Sequence, residues 1–337
     1  MAKYKDLVGT GVVNFAGEYT GSVEGQLWYN SSEGKFQYNA GAEVAAWSTA
    51  NDMNQAGVLG RAGSGPQTST VYSGGDESGS PEMRAYTETW NGTNWTEVND
   101  LGTARAQAHG AGVSSTAAIA AGGFTNTGPN QGVVAVNESW NGTNWTEVND
   151  LNTQRRLAGA CGSSTSALVF GGQISDPSRT VDNESWNGTN WTELNNMNTM
   201  RFGHRGAGTA NTAGLAFGGQ TPPGDKVGDT ELWNGTNWTE VNDLNTARYI
   251  MGAGGTSTSA LSMGGATGTG VVGVTESWNG TNWTEEADMT VARYYNQGNA
   301  GSSTSGLFGG GYNASGSKVA TTEAFSLSGG TKTITTS

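Results

Sequence analysis

An all-β architecture, a six-bladed β-propeller carrying a small N-terminal β-hairpin module, is the fold this sequence predicts, and three observations carry the prediction. The octapeptide Trp-Asn-Gly-Thr-Asn-Trp-Thr-Glu begins at Trp90, Trp140, Trp186, Trp233 and Trp278, at spacings of 50, 46, 47 and 45 residues, a period that belongs to stacked or radial repeats. A Gly-Gly pair closes a short apolar run six times, at Gly74-Gly75, Gly122-Gly123, Gly171-Gly172, Gly218-Gly219, Gly264-Gly265 and Gly309-Gly310, so there are six units rather than five. Glycine supplies 55 of the 337 residues, more than twice its ordinary share of roughly 7%, which disfavours long helices.

Residues 1–40 lie outside the period and form a module of their own. Gln26 to Tyr29 and Lys35 to Tyr38 alternate as two strands around a turn at Asn30-Ser31-Ser32-Glu33-Gly34. Residues 41–337 are expected to form the propeller. Ala42 to Ala56 is glycine-free and rich in alanine, a helical composition, but Trp47 stands where Trp95 stands in its own unit, so a strand is expected there. At the far end Thr322-Glu323-Ala324-Phe325 replaces Thr275-Glu276-Ser277-Trp278. Both ends therefore carry partial copies that meet to complete one unit. Trp47's strand and the segment Thr331 to Ile334 compete for the closing position.

The third unit displays the expected blade most plainly. Leu157 to Cys161 is strand one, and Ala167 to Phe170 is strand two, stopped by Gly171-Gly172. Asn183 to Trp186 is strand three. Asn187-Gly188 then marks a hairpin in which both residues tolerate positive φ, and Trp191-Thr192-Glu193 returns as strand four. Such a unit cannot cover both of its faces alone, and radial repetition covers them while protecting the sheet edges.

Composition narrows the functional classes. Lys plus Arg total 16 and Asp plus Glu total 29, a formal charge of −13, which would repel a nucleic-acid backbone. The single cysteine, Cys161, offers neither an intramolecular disulfide nor a metal-ligand cluster, and no metal or cofactor is expected. No stretch approaches the roughly 18 apolar residues of a membrane span, and no signal-peptide run follows Met1. The expectation is a protein made in a cytoplasm, without membrane insertion. The Asn-Gly-Thr and Asn-Trp-Thr triplets, as at Asn91 and Asn94, are accordingly read as turn chemistry rather than glycosylation sites.

Among chemistry-bearing residues, glutamate recurs two positions before the strand-three aromatic, at Glu88, Glu138, Glu184, Glu231, Glu276 and Glu323. A catalytic carboxylate is needed once per enzyme, whereas these occur once per blade. They are expected to pair with the arginines that open the units, Arg105, Arg155, Arg201, Arg248 and Arg293; the first unit has Gly57 at that position. The tryptophan pairs Trp90/Trp95, Trp140/Trp145, Trp186/Trp191, Trp233/Trp238 and Trp278/Trp283 are expected to be structural, and His109 and His204 to sit in the core or channel. Alternating strand direction places the one–two and three–four turns on one face and the two–three and four–one connections on the other. The two–three connections vary, and variable loops on a repeated scaffold are the usual place for binding. Candidate binding residues are Asp76, Arg84, Phe124, Asn130, Asp176, Arg179, Asp225, Lys226, Tyr312 and Asn313.

The diglycine, the tryptophan-bearing hairpin and the unit-opening arginine together resemble the kelch repeat over roughly residues 45–330. Kelch units usually carry a tyrosine near the diglycine, and here it is seldom present. The best-known catalytic kelch propeller is a copper enzyme that needs two histidines, two tyrosines and a cysteine cross-link, and that set is not assembled here, so no enzymatic activity is expected. The string Leu27-Trp28-Tyr29-Asn30-Ser31-Ser32-Glu33-Gly34-Lys35-Phe36 resembles a hairpin of bacteriophage tail-fibre and other virion proteins. The Asn-Gly-Thr-Asn-Trp runs are similar to those of aquatic-phage structural proteins. The resemblance implies a virion structural protein assembled in the host cytoplasm: a tail fibre, appendage or capsid decoration. It would dock to other virion proteins through residues 1–40 and present the propeller to host-surface glycans or proteins, with homo-oligomerisation a further expectation. A multivalent lectin with sugar pockets at the repeated Trp-Asn turns, and an intracellular kelch-type adaptor, are the alternatives.

Overall fold

The structure, a computed structural model, describes residues 13–16, 24–39, 41, 44–55, 58–77, 83–125, 132–222, 224–295, 298–328 and 331–333. The chain divides into two compact units, Met1–Ala45 with Ser326–Ser337, and Ala46–Phe325.

In the first unit the expected hairpin forms, Leu27–Asn30 against Lys35–Asn39. Val13–Phe15 adds in parallel to one side and Thr331–Thr333 antiparallel to the other. The segment Thr331–Thr333 thus pairs with the hairpin strand Lys35–Asn39, within the unit of Met1–Ala45 and Ser326–Ser337. Trp28 is fully buried, and the Asn30 amide oxygen accepts the backbone N–H groups of Ser32 and Glu33, which shapes the turn.

The second unit is an all-β propeller of six blades. Blades 2 to 5 are continuous four-stranded antiparallel sheets, running His109–Ser114 to Trp145–Val148, Gly159–Ser163 to Trp191–Leu194, Arg205–Ala210 to Trp238–Val241, and Gly252–Thr256 to Trp283–Glu285. Blade 1 is Ala62–Gly65, Thr70–Glu77, Met83–Trp90 and Trp95–Val98. Blade 6 takes Gly298–Ser302, Ser305–Gly309 and Thr322–Ser328 from one end of the chain and Val44–Ala50 from the other. The alanine-rich segment around Trp47 is therefore a strand, because blade 6 supplies the ladder that outweighs helical propensity. The Trp47 and Phe325 rings lie 5.5 Å apart, as Trp186 and Trp191 do at 5.3 Å.

Two local expectations are corrected. In the three–four turns the glycine alone takes positive φ (Gly188, 92°); Asn187 acts instead through its amide oxygen, which accepts the N–H groups of Thr189 and Asn190 at 2.9 Å. In blade 6 the positive-φ diglycine is Gly310-Gly311, one residue later than the sequence alignment placed it, because Gly309 still belongs to strand two.

The blades are fastened in three ways, the first holding each blade's opening connection to its own strand three and the other two bridging neighbours. First, every strand-three glutamate forms a buried ion pair: Arg155–Glu184 at 2.5 Å, Arg201–Glu231 at 3.1 Å, Arg293–Glu323 at 2.7 Å, and Arg105–Glu138 and Arg248–Glu276 likewise. Blade 1 does this with Arg61, four residues after Gly57, at 2.5 Å from Glu88; Gly57 itself lies outside the described residues. Secondly, the asparagine after strand four (Asn51, Asn99, Asn149, Asn195, Asn242) donates to the next blade's turn, to a threonine carbonyl and an asparagine side chain, at 2.8–3.0 Å. Thirdly, the strand-four indole donates to a threonine hydroxyl on strand three of the preceding blade: Trp47 to Thr275, Trp95 to Thr322, Trp145 to Thr87, Trp283 to Thr230. In blades 2 and 3 an asparagine, Asn137 or Asn183, holds the threonine's place on strand three. There the indoles of Trp191 and Trp238 and the amide oxygens of Asn137 and Asn183 have no partner.

Candidate functional site

Where each four–one connection turns inward, one residue per blade adopts a left-handed backbone: Gly60, Gln107, Leu157, Gly203, Ile250 and Tyr295, with φ between 52° and 69°. Each donates its N–H to the carbonyl of the residue before it around the axis. Gln107 donates to Gly60 at 2.7 Å, Leu157 to Gln107 at 3.4 Å, Gly203 to Leu157 at 2.7 Å, Ile250 to Gly203 at 2.7 Å, Tyr295 to Ile250 at 3.0 Å, and Gly60 back to Tyr295 at 3.2 Å. The six bonds form a closed ring. Left-handed backbone costs a non-glycine residue about 1 kcal/mol or more, and here the paired backbone groups of the neighbours hold it in place. Their side chains range from none to phenol, so residue type does not mark these positions, but five of them stand two residues after the unit-opening arginine, as Gln107 does after Arg105 and Tyr295 after Arg293.

Below the ring lie His109, His204 and Arg205, all buried. Burial pushes the His109 imidazole down to about 3, with Arg155 and Arg205 adding to the depression, and holds His204 well below its usual range. The backbone N–H of Gly159 donates to His204 Nε2 at 3.0 Å. Burial also lowers Arg205, to about 9. Both histidines are buried, within the core or channel placement that the sequence suggested, and their depressed imidazoles favour the neutral form. On the turn side of the propeller, small residues of the innermost strands, among them Gly65, Gly162, Gly208 and Gly301, surround a cavity of about 170 Å³. Its one thiol, Cys161, is pushed up to about 12 by burial and is unreactive. The repeated tryptophans are largely withdrawn from solvent: Trp90, Trp186 and Trp233 are at most 3% exposed, and Trp145 is half-buried.

The opposite, variable-loop face carries the chemistry. Every lysine or arginine of the Ala46–Phe325 unit outside the six ion pairs, Arg205 apart, sits there over an aromatic ring: Arg84 over Tyr86, Arg156 over Phe124 at 4.7 Å, Arg179 over Phe202 at 4.2 Å, Lys226 over Tyr249 at 4.8 Å and Lys318 over Tyr312. These cations are half-buried and held in place. Of the sequence-derived candidates, Arg84, Phe124, Arg179, Lys226 and Tyr312 belong to this cation–aromatic set. Asp176 accepts from the Gln173 amide at 3.3 Å, and Asp225 closes its loop through its carbonyl. Asn313 is a turn builder, its amide oxygen accepting from Ser315 and Ser317. Asn130 lies outside the described residues.

Asp76 and Tyr312 do meet, in a cavity of about 270 Å³ that Ala106, Gln107, Tyr294 and Tyr295 complete. The Tyr294 and Tyr312 rings stack at 5.6 Å, and Tyr295 stands edge-on to both. Burial raises the Asp76 carboxyl, and nearby Lys318, whose ammonium donates to the Asp76 carbonyl at 3.2 Å, partly opposes this. Burial likewise pushes the Tyr295 phenol up to about 12. Gln107, Tyr294 and Tyr295 lie in four–one connections, outside the two–three connections whose variability marks candidate binding residues in the sequence.

No protein-family model matches this chain, and no curated protein matches it. Among solved structures it is similar to that of YjhT, at 14% identity and a TM-score of 0.65, over 81% of this chain and 95% of that one, a likeness of fold.

Proposed function

We propose that this chain is a non-enzymatic binding protein of a bacteriophage particle, a tail fibre, appendage or capsid decoration of kelch-like repeats. In this reading the variable-loop face recognises a host-surface glycan or protein, and the N-terminal module joins other virion proteins. The observation that carries the binding reading is the tyrosine-lined cavity beside ring-mounted cations on the one face whose loops differ from blade to blade. The non-enzymatic reading is supported by the recurring glutamates, each engaged with an arginine and, as at Glu184, with the backbone N–H groups of Asn152 and Thr153. The virion assignment rests on the resemblance of residues 27–36 and of the Asn-Gly-Thr-Asn-Trp runs.

Mass spectrometry of purified particles, together with binding of the purified chain to candidate host cells, tests both halves. The chain is expected in the particle, and Arg179→Ala with Lys226→Ala is expected to reduce cell binding. Absence from particles would end the virion assignment, and undiminished binding by the double variant would move recognition off this face.

A further inference from the structure

The hydrogen-bonded ring is built alike in all six blades, but what stands on it is not. Leu157, Gly203 and Ile250 offer only apolar or absent side chains on one side. On the other side the two polar members, Gln107 and Tyr295, flank Gly60, and the cavity opens there. A Cβ on Gly60 would lie 3.2 Å from the Gln107 backbone nitrogen, so the glycine keeps this floor low. In a chain whose repeats are otherwise nearly identical, one notch with its own residues marks a single site rather than six equivalent ones.

Resting on the binding reading above, we propose that this notch receives one neutral hexopyranose ring of a glycan. Its size is at the bottom of the range of small-molecule pockets, about 300 Å³ and upward, which suits one ring and not an oligosaccharide. The stacked pair Tyr294 and Tyr312, with Tyr295 edge-on, offers flat aromatic surface to the C–H face of a sugar. The Asp76 carboxylate can accept from two neighbouring hydroxyls, and the Gln107 amide oxygen, buried at the wall without a partner, calls for a donor. The one charged side chain among the lining residues is the Asp76 carboxylate, with the Lys318 ammonium beside it on the Asp76 carbonyl and over Tyr312; an acidic sugar would compete with Asp76 for that ammonium and meet its repulsion, which favours a neutral one. The remainder of the glycan would run across the cation–aromatic face.

Calorimetric titration of the full-length chain with the methyl glycosides of glucose, galactose and mannose, and with glucuronic acid, tests this. At least one neutral glycoside is expected to bind at one site per chain and more tightly than glucuronic acid. Tyr312→Ala and the near-isosteric Asp76→Asn are each expected to weaken it about tenfold with the urea midpoint unchanged. Should Tyr312→Ala destabilise the fold, Asp76→Asn carries the test. Lack of binding by all three glycosides, tighter binding of glucuronic acid, several equivalent sites, or variants that bind as wild type would each overturn the proposal. Host-cell binding measured in parallel separates the two readings. If cells bind, Tyr312→Ala abolishes that binding and no glycoside binds, the sugar assignment falls while the face keeps its role; if cells do not bind either, both fall.

Discussion

The two ends of the propeller axis are made by the same six chain segments and have opposite characters. At the turn end, each three–four turn repeats Asn-Gly-Thr-Asn, each such turn is clasped by the asparagine of the preceding blade, and the channel is lined with small residues. At the loop end the backbone is just as regular, down to a closed ring of hydrogen bonds, yet its side chains run through Gln107, Leu157, Ile250 and Tyr295. Uniform side chains accompany contacts that hold blades together. Variety appears where the backbone alone does that job and the side chains are free to differ. Stability should therefore follow the repeated positions, and recognition the divergent ones.

The sharpest way to break this comparison is to remove a repeated charge. Glu184→Ala leaves Arg155 buried without its carboxylate and frees the N–H groups of Asn152 and Thr153. A loss of about 3–5 kcal/mol is expected from the urea midpoint. A loss below about 1 kcal/mol would mean that the ion pairs are not what holds each opening connection on its blade.

Next comes pH. Both histidines stay neutral in the fold, His109 with its imidazole at about 3 and His204 also depressed, whereas an unfolded histidine protonates near 6.5. Below that value the unfolded chain binds more protons than the folded one. Stability should be level above about pH 6.5 and fall as pH drops toward 3, with His109 alone accounting for about 2 kcal/mol between 6.5 and 5, ahead of most carboxylate titration. His204 adds in the same direction. Urea midpoints across this window check it, and a flat profile would place the histidines in contact with water.

A smaller effect, of opposite sign, tests whether the repeat is optimised everywhere. Four strand-four indoles reach a threonine, while Trp191 and Trp238 and the amide oxygens of Asn137 and Asn183 stand unpaired. Asn137→Thr should restore the bond with a residue that suits a strand and stabilise by about 1 kcal/mol, read from the same midpoint. Thr230→Val, which removes the acceptor of Trp283, should cost a similar amount.

What the sequence disclosed follows the same division. The octapeptide, the diglycines and the Arg–Glu spacing repeat, so blade number, the strand at Trp47 and the buried pairing could be read directly. Arg61 was not legible as an ion-pair partner, because it sits four residues from the aligned position and reaches Glu88 from there. The pairing of Thr331–Thr333 with Lys35–Asn39 joins segments that share no pattern. The ring's left-handed backbone was not legible from residue type, since it is leucine in one blade and tyrosine in another; only its register, two residues after the unit-opening arginine, repeats in five blades. The cavity inherits that opacity, since two of its walls, Gln107 and Tyr295, are ring members.

The smallest expected effect on stability is at the loop end, and there the comparison is sharpened most. Lys226→Ala removes an ammonium over Tyr249, at the opening of blade 5, and a bond to the Gly224 carbonyl, in a half-buried loop. Exposed cation–aromatic pairs are worth about 0.5–1 kcal/mol, and surface substitutions usually stay within about 0.5 kcal/mol, so the midpoint should barely move while host-cell binding falls. Asn149→Ala is the matched control at the turn end. Its amide bridges two blades through Thr189 and Asn190, so about 1 kcal/mol of stability should go with binding intact. If the two variants exchanged behaviours, the division of labour between the ends would be reversed, and the uniform turns would have to be the recognition surface.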